Sequence, residues 1–370
     1  MKALNRGNIL KFLLVLLSGL VLYLFVRNDA FLYGQPIGRV EGVRTVSTSS
    51  TEDTFHNRDK VTVQEVSFRV ENGRWKGRTF KVRNTFSRSG GLDQEYRKGN
   101  QVFLTVRRHR GKVNCSVSHC KRDVYLVMLM WLVVVLLYAT MKVHGLRALL
   151  SVAVNFCVFL IFVQLDVVLN LTHFFWLFAA AALIFTVLSL WLVIGFNRQW
   201  LVTCASVVSG TVLALLIGLF AMAVTGDRGV HYEALDYATQ SPKQLFLAAT
   251  VIGLLGTVMD ASTDIVSTLF EMKRTDVRIG SGQLFRSGMA VGRSVMGPLV
   301  NVLLMIFFAE TFTMAVLYFK TGNSIAYTFE WTMALGIVQT LISGIGVVLT
   351  VPCASFLSAR VLGGVRNVDD

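Results

Sequence analysis

The stretch FFWLFAAAALIFTVLSLWLVIGF, Phe174–Phe196, runs for 23 residues without a charge. About 20 consecutive apolar residues cross the hydrocarbon core of a bilayer as a helix. Four further uncharged runs follow the same rule: Val124–Met141, Ala148–Leu165, Leu201–Thr225 and Trp331–Ala359. The chain has 370 residues, of which 54% are hydrophobic and only 16% charged. Five such runs are too many and too long for the core of a soluble domain. The fold class is therefore a polytopic α-helical membrane protein, and the scarcity of proline, four in all, agrees with it.

Working outward, eight spans are expected, at about 9–26, 124–141, 147–165, 174–195, 201–224, 245–270, 287–309 and 331–358. The first follows Lys2, Arg6 and Lys11. Val26-Arg27-Asn28-Asp29 offers no small-residue cleavage site, so residues 1–26 read as an uncleaved anchor. Lys and Arg favour the cytoplasmic side of short loops. With the N-terminus inside, the inner segments 1–11, 142–147, 195–200, 271–286 and 359–370 hold 12 Lys/Arg, and the outer loops 166–173, 225–243 and 309–330 hold three. That ratio places both termini in the cytoplasm, with Asp166, Asn170 and His173 in a solvated outer loop and no role for His173. Two spans look interrupted. Leu245–Met259 gives only 15 uncharged residues before Asp260, and Ser287–Phe319 contains Gly297-Pro298 and Glu310. Residues 311–319 could form a half-helix of their own.

Between the first two spans the pattern changes. Lys60–Val70, KVTVQEVSFRV, alternates polar and apolar residues as a half-buried strand does. Phe80–Val82, Val102–Val106 and Lys112–Val117 continue it, with turns at Asn72-Gly73, Gly90-Gly91 and Lys98-Gly99-Asn100. Residues 27–122 are thus a small extracytoplasmic β domain, a barrel or sandwich of five or six strands, and residues 30–58 a flexible approach to it. The bundle occupies 123–370. The domain holds 20 Lys/Arg against nine Asp/Glu, most of the net +14 of the chain. A solvated basic surface accounts for that charge, and so does binding of an anionic envelope polymer; nucleic acid is not expected outside the cytoplasm. Cys115 and Cys120 are free or joined as a disulfide. Cys-x4-Cys with scattered His is no zinc pattern, and no metal site is expected.

The polar residues that matter lie inside the spans. At 100° per residue, Gly253, Gly256, Asp260, Asp264, Ser267 and Glu271 share one face. Arg293, Gly297 and Asn301, four apart, share a face of the next span, where Gly288 and Gly292 also recur. Ionisable groups in a span pair with one another or line a cavity, and glycines let helices approach closely. The two stripes are therefore expected to face each other. Asp260 and Asp264, one turn apart, suit a site for a proton or a monovalent cation, or one of them pairs with Arg293. Asn301 would complete the site or bond a neighbouring helix.

An enzyme is not expected. Gly256-x3-Asp260-x3-Asp264 matches the second half of the motif of CDP-alcohol phosphotransferases. The first half, Asp-Gly-x2-Ala-Arg, is missing, with Phe246-Leu247 in the Ala-Arg place. Two Asp on one turn do not form the facing dyad of an intramembrane protease.

Gly256-Thr-Val-Met-Asp260 with Ser267 and Glu271, then Ser287-Gly-Met-Ala-Val-Gly-Arg293-Ser-Val-Met-Gly297 with Asn301, and Gly344-Ile-Gly346-Val-Val-Leu-Thr-Val-Pro352 resemble the YibE/F-like family of bacterial multi-pass membrane proteins. The resemblance implies an anchor, an outer β domain and a membrane bundle in that order, and the family is usually taken for a permease. It also implies a Glu near position 336, where this chain has Gly336. The expected function is a plasma-membrane transporter of unnamed substrate with a second membrane subunit or a second copy as partner. The alternatives are an envelope scaffold and, more weakly, a lipid-modifying enzyme.

Overall fold

A computed structural model describes residues 6–54, 56–90, 93–109, 112–169, 174–226, 231–232 and 241–363. Asn170 and His173 lie outside them. The chain forms two compact units, residues 1–142 and 143–370.

The first unit begins with helix α1, Arg6–Arg27. Five strands follow: β1 Ile37–Glu52, β2 Arg58–Val70, β3 Thr79–Ser87, β4 Gln101–His109 and β5 Lys112–Cys120. They make one antiparallel sheet in the order β3-β2-β1-β4-β5. Its edge strands β3 and β5 approach each other, so the sheet coils into a partly open barrel with the connectivity of an OB-type fold. Val40, Val66, Phe68, Val70, Val102 and Leu104 fill its interior, with Tyr96 packed edge-on to Phe68.

The flexible approach expected over 30–58 is corrected by β1. Two bulges, at Glu41 and Val46, each insert a residue into this strand. Val40, Val43 and Val46 therefore recur every third position, which hides the period of two. The disulfide is also excluded. Cys115 and Cys120 are free thiols on the same strand. Five positions of strand separate them by roughly 16 Å, far beyond disulfide reach.

Where the barrel meets its helices, Lys121 is fully buried. Its Nζ lies 2.6 Å from Asp29 and 3.0 Å from Asp123, and donates to the carbonyl of Val26 at 2.6 Å. Tyr33 donates to Asp123 at 2.6 Å, which pushes its phenol up from the usual tyrosine range. The group ties the end of α1 to the start of α2, Asp123–Leu169. Nearby, the indole of Trp131 donates to Ser18 and covers Gly19, where a Cβ would come within 2.8 Å of the ring.

Among the described residues, six helices are long and apolar enough to cross a membrane: α2; α3, Phe174–Ile194; α4, Arg198–Thr225; α5, Pro242–Thr275; α6, Ser281–Lys320; and the last segment, Ile325–Leu362. At 47 residues α2 measures roughly 70 Å, twice the hydrocarbon thickness. Lys142 breaks it, with φ 52° and ψ −129°. The expected inner loop 142–147 is thus a single non-helical residue, and Asp166 lies within α2 rather than in a loop. The two expected interruptions are absent: α5 runs unbroken past Asp260, and α6 runs through Pro298 and includes 311–319. The irregular turn lies elsewhere. Ile325–Thr328, α7, passes through a π turn at Phe329–Met333 into α8, Ala334–Leu362.

The second unit is built on α8, which packs against α4, α5 and α6. Small residues make the close approach. A Cβ at Gly210 would strike Thr350, one at Gly346 would strike Leu254, and one at Gly292 would strike Val351. The buried hydroxyls of Thr250, Thr350 and Ser206 return to carbonyls of their own helices at 2.7 Å, which satisfies them without water.

Candidate functional site

The polar stripe of α5 is on the surface of the bundle. Gly253, Gly256, Asp260, Asp264 and Glu271 are exposed, with Ala249 continuing the face and Ser267 half-buried on it. The opposite face is core: Leu254, Val258, Ala261, Ile265 and Leu269 are buried. Residues 242–275 expose no large hydrophobic side chain, although helices α2, α3, α4, α6 and α8 all do. On α8, for example, Leu341, Ile345, Val348 and Phe356 point outward. A helix in lipid presents its large apolar groups to the acyl chains; α5 has withdrawn all of them from its free side.

The first half of α6 repeats the pattern. Between Phe285 and Val302 its exposed residues are Arg286, Ala290, Arg293, Ser294, Gly297, Pro298 and Asn301, again without a large hydrophobic. From Val302 onward Met305, Ile306, Phe308 and Phe312 return to the surface. The polar patch thus ends where the apolar belt of α6 begins.

The expectation that the two stripes face each other does not hold. α8 packs against both helices, and both stripes turn outward. Among the described residues, Asp260, Asp264, Arg293 and Asn301 make no side-chain hydrogen bond or ion pair, so Arg293 pairs with neither Asp. The sequence could not show this, because helical phase gives a face but not the neighbour that the face meets. A Cβ at Gly288 would strike Ser355 and one at Gly292 would strike Val351, both on α8. At Gly253 the Cβ position is 3.3 Å from the amide of Gln339. Gly256 and Gly297 are corrected, since no atom lies within 4 Å of a Cβ at either. They leave open space beside the carboxylates and the guanidinium instead of closing a helix contact. A surface trough lined by Ser267, Thr268, Glu271, Thr275 and Asp276 continues the stripe to the end of α5.

Three features escaped the sequence. Gln339, on α8, reaches the carbonyl of Ala249 at 3.5 Å and so borders the stripe. Lys273 sits between Met272 and Arg274 like a solvated charge, yet it is buried; its Nζ donates to the carbonyls of Val277 at 2.7 Å and Ile279 at 3.0 Å and pins the α5–α6 turn. Glu330, on the π turn, lies 2.8 Å from His231, whose ring stacks on Trp331 at 4.4 Å. Only the polar character of Gln339 within an apolar run was a usable signal. At Gly336, Phe307 occupies the place a side chain would take, 2.5 Å from a Cβ. No carboxylate of α8 joins the patch there.

A family model for YibE/F-like proteins matches residues 129–364, and a model for the YibE/F family N-terminal domain matches residues 31–119. The chain belongs to the YibE/F-like family. The first match takes in both polar stripes and α8, and the second takes in nearly all of the barrel. No curated protein and no solved structure matches the chain. The site of this YibE/F-like protein is therefore argued from its own residues.

Proposed function

We propose that this YibE/F-like protein is a transporter of the bacterial plasma membrane, with both termini cytoplasmic, eight crossings counting α1 and the two halves of α2, and no catalytic activity of its own. The observation that carries this reading is the free face of α5: a span without one outward large hydrophobic, bearing two carboxylates a turn apart. Like charges roughly 6 Å apart in a poor dielectric do not both ionise cheaply. A proton or a monovalent cation at Asp260 and Asp264 relieves that repulsion, and its arrival and departure can be coupled to a solute. Arg293 and Asn301 supply a cationic and an amide group for an anionic or polar cargo.

Deletion cells carrying wild-type protein, Asp260→Asn or nothing test it by an untargeted comparison of metabolites and lipids, with membrane abundance checked in each. The reading expects a soluble compound to be displaced across the membrane in the Asp260→Asn cells as in the empty cells. A shift in one lipid class would favour lipid chemistry instead. Asp260→Asn behaving as wild type would overturn the transport reading.

One observation favours a second role in the barrel. On its outer face the register aligns Arg44, Glu65 and Arg83 in one row, Ser67 and Lys81 in the next, and Arg39 beside Arg69 in a third. Arg44, Lys81 and Arg83 flank Glu65, while Arg39 and Arg69 pair with Glu71 and Glu41 beside them; a face basic on balance suits an anionic envelope polymer, and OB-type barrels use this face for extended polymers. Reversing Lys81 and Arg83 to Glu should weaken sedimentation with anionic wall polymer by about tenfold, more at low salt than at high.

A further inference from the structure

Among the described residues, the polar faces of α5 and α6 have no partner in their own copy, and lipid is a poor partner for them. We propose that a second copy of this chain covers them, so that the Asp260–Asp264 site lies at a two-fold interface and Arg293 of one copy serves the carboxylates of the other.

The argument is charge complementarity by depth. Thr275 ends α5 and Ser281 begins α6, so these two residues mark one level in the membrane. Counted from there, Glu271 lies four residues along α5 and Arg286 five along α6. Asp264 and Arg293 lie eleven and twelve along, Asp260 and Gly297 fifteen and sixteen, and Gly256 and Asn301 nineteen and twenty. At 1.5 Å per residue the members of each couple differ in height by roughly 1.5 Å. Each acid on α5 thus has at its own level a base or a glycine on α6, and the open glycine of α5 has an amide.

A two-fold axis along the membrane normal preserves depth and makes a self-complementary contact. Laying α5 on the partner's α6 sets Glu271 against Arg286, Asp264 against Arg293 and Gly256 against Asn301, twice over. The small residues Ala249, Gly253, Gly256, Ala290 and Gly297 let the backbones approach. α8 cannot be the covering surface, because its outward residues are Leu341, Ile345, Val348 and Phe356. The interface stands or falls separately from transport.

The test uses the full chain in native membranes with its own five cysteines replaced. Ser267→Cys is placed in a copy with one tag and Ala290→Cys in a copy with another; the two positions lie on the two stripes at matching depth. Mild oxidation is expected to join the two tags in one band of twice the mass. The same experiment with Phe356→Cys in both copies should give none. Asp264→Arg alone or Arg293→Asp alone should lower the yield roughly tenfold, since each sets like charges opposite one another. Co-expressing the two reversals should restore it, because each interface then pairs opposite charges, a rescue in trans that no contact within one chain can supply.

Absence of the mixed band with both tagged copies abundant in the membrane would overturn the proposal. So would a band through Phe356→Cys, a crosslink to a different protein, or reversals that fail to rescue each other. Wild-type protein counted as single copies in lipid nanodiscs would overturn it independently. A mixed band that persists in Asp260→Asn cells lacking the displaced metabolite separates the interface from the carrier, and transport without the band would keep the carrier and remove the interface.

Discussion

Lys121 and Asp264 put charges in costly places and settle them in different ways. Lys121 is enclosed by Asp29, Asp123 and the carbonyl of Val26. Removing one member of such a group leaves the others buried and unpaired, at about 3–5 kcal/mol. Lys121→Met should therefore deplete the protein from the membrane, as quantitative immunoblotting would read, while Lys121→Met with Asp29→Asn should recover part of the loss. Asp264 has no partner among the described residues of its own copy, and Asp264→Asn should leave abundance near wild type. The thiols give a further residue-scale prediction. Burial in the barrel pushes Cys115 and Cys120 up from the ordinary thiol range. An acid held above its unfolded pKa contributes stability that is complete below that value and is lost as pH rises through the folded one. In a protein retaining only these two cysteines, maleimide should react slowly at pH 7. The barrel's melting temperature should fall as pH climbs past about 8.5. A flat profile would contradict the burial argument.

At the scale of elements, phase was legible and neighbourhood was not. The stripe of α5 could be read from the spacing of Gly253, Asp260, Asp264 and Glu271, because 100° per residue is a property of the helix alone. Which helix meets that stripe depends on tertiary packing: the stripe turns outward, and α8 packs on the opposite face of α5, at Leu254 and Val258. The strands β2 to β5 were legible by alternation, whereas the bulges of β1 erased its period. The π turn at Phe329–Met333 left no mark in composition. The packing itself predicts a contrast between two glycines. Gly292→Ala drives a methyl into Val351 and should cost about 1–3 kcal/mol. Gly256→Ala meets nothing within 4 Å in its own copy and should lower the bundle's melting temperature clearly less. Equal losses would mean that α8 does not pack on Gly292 as described.

At the scale of the molecule, the protein is a multi-pass membrane protein of the YibE/F-like family with a basic barrel near its N-terminus and a bundle built on its last helix. Membrane character followed from five uncharged runs, since hydrocarbon thickness fixes the length of a span. Function was less legible, because a buried site and a subunit face demand the same small and charged residues from a sequence. The central claim is that the free face of α5 does not meet lipid. The most direct measurement is nitroxide accessibility on the full chain in lipid vesicles, with labels at Ala249, Gly253 and Ser267 of α5 and at Leu341, Ile345 and Val348 of α8. The account predicts collision with lipid-dissolved oxygen at the α8 positions and strong protection from it at the α5 positions. Oxygen collision on α5 equal to that on α8 would show that the stripe faces acyl chains, and would contradict both the site and the interface.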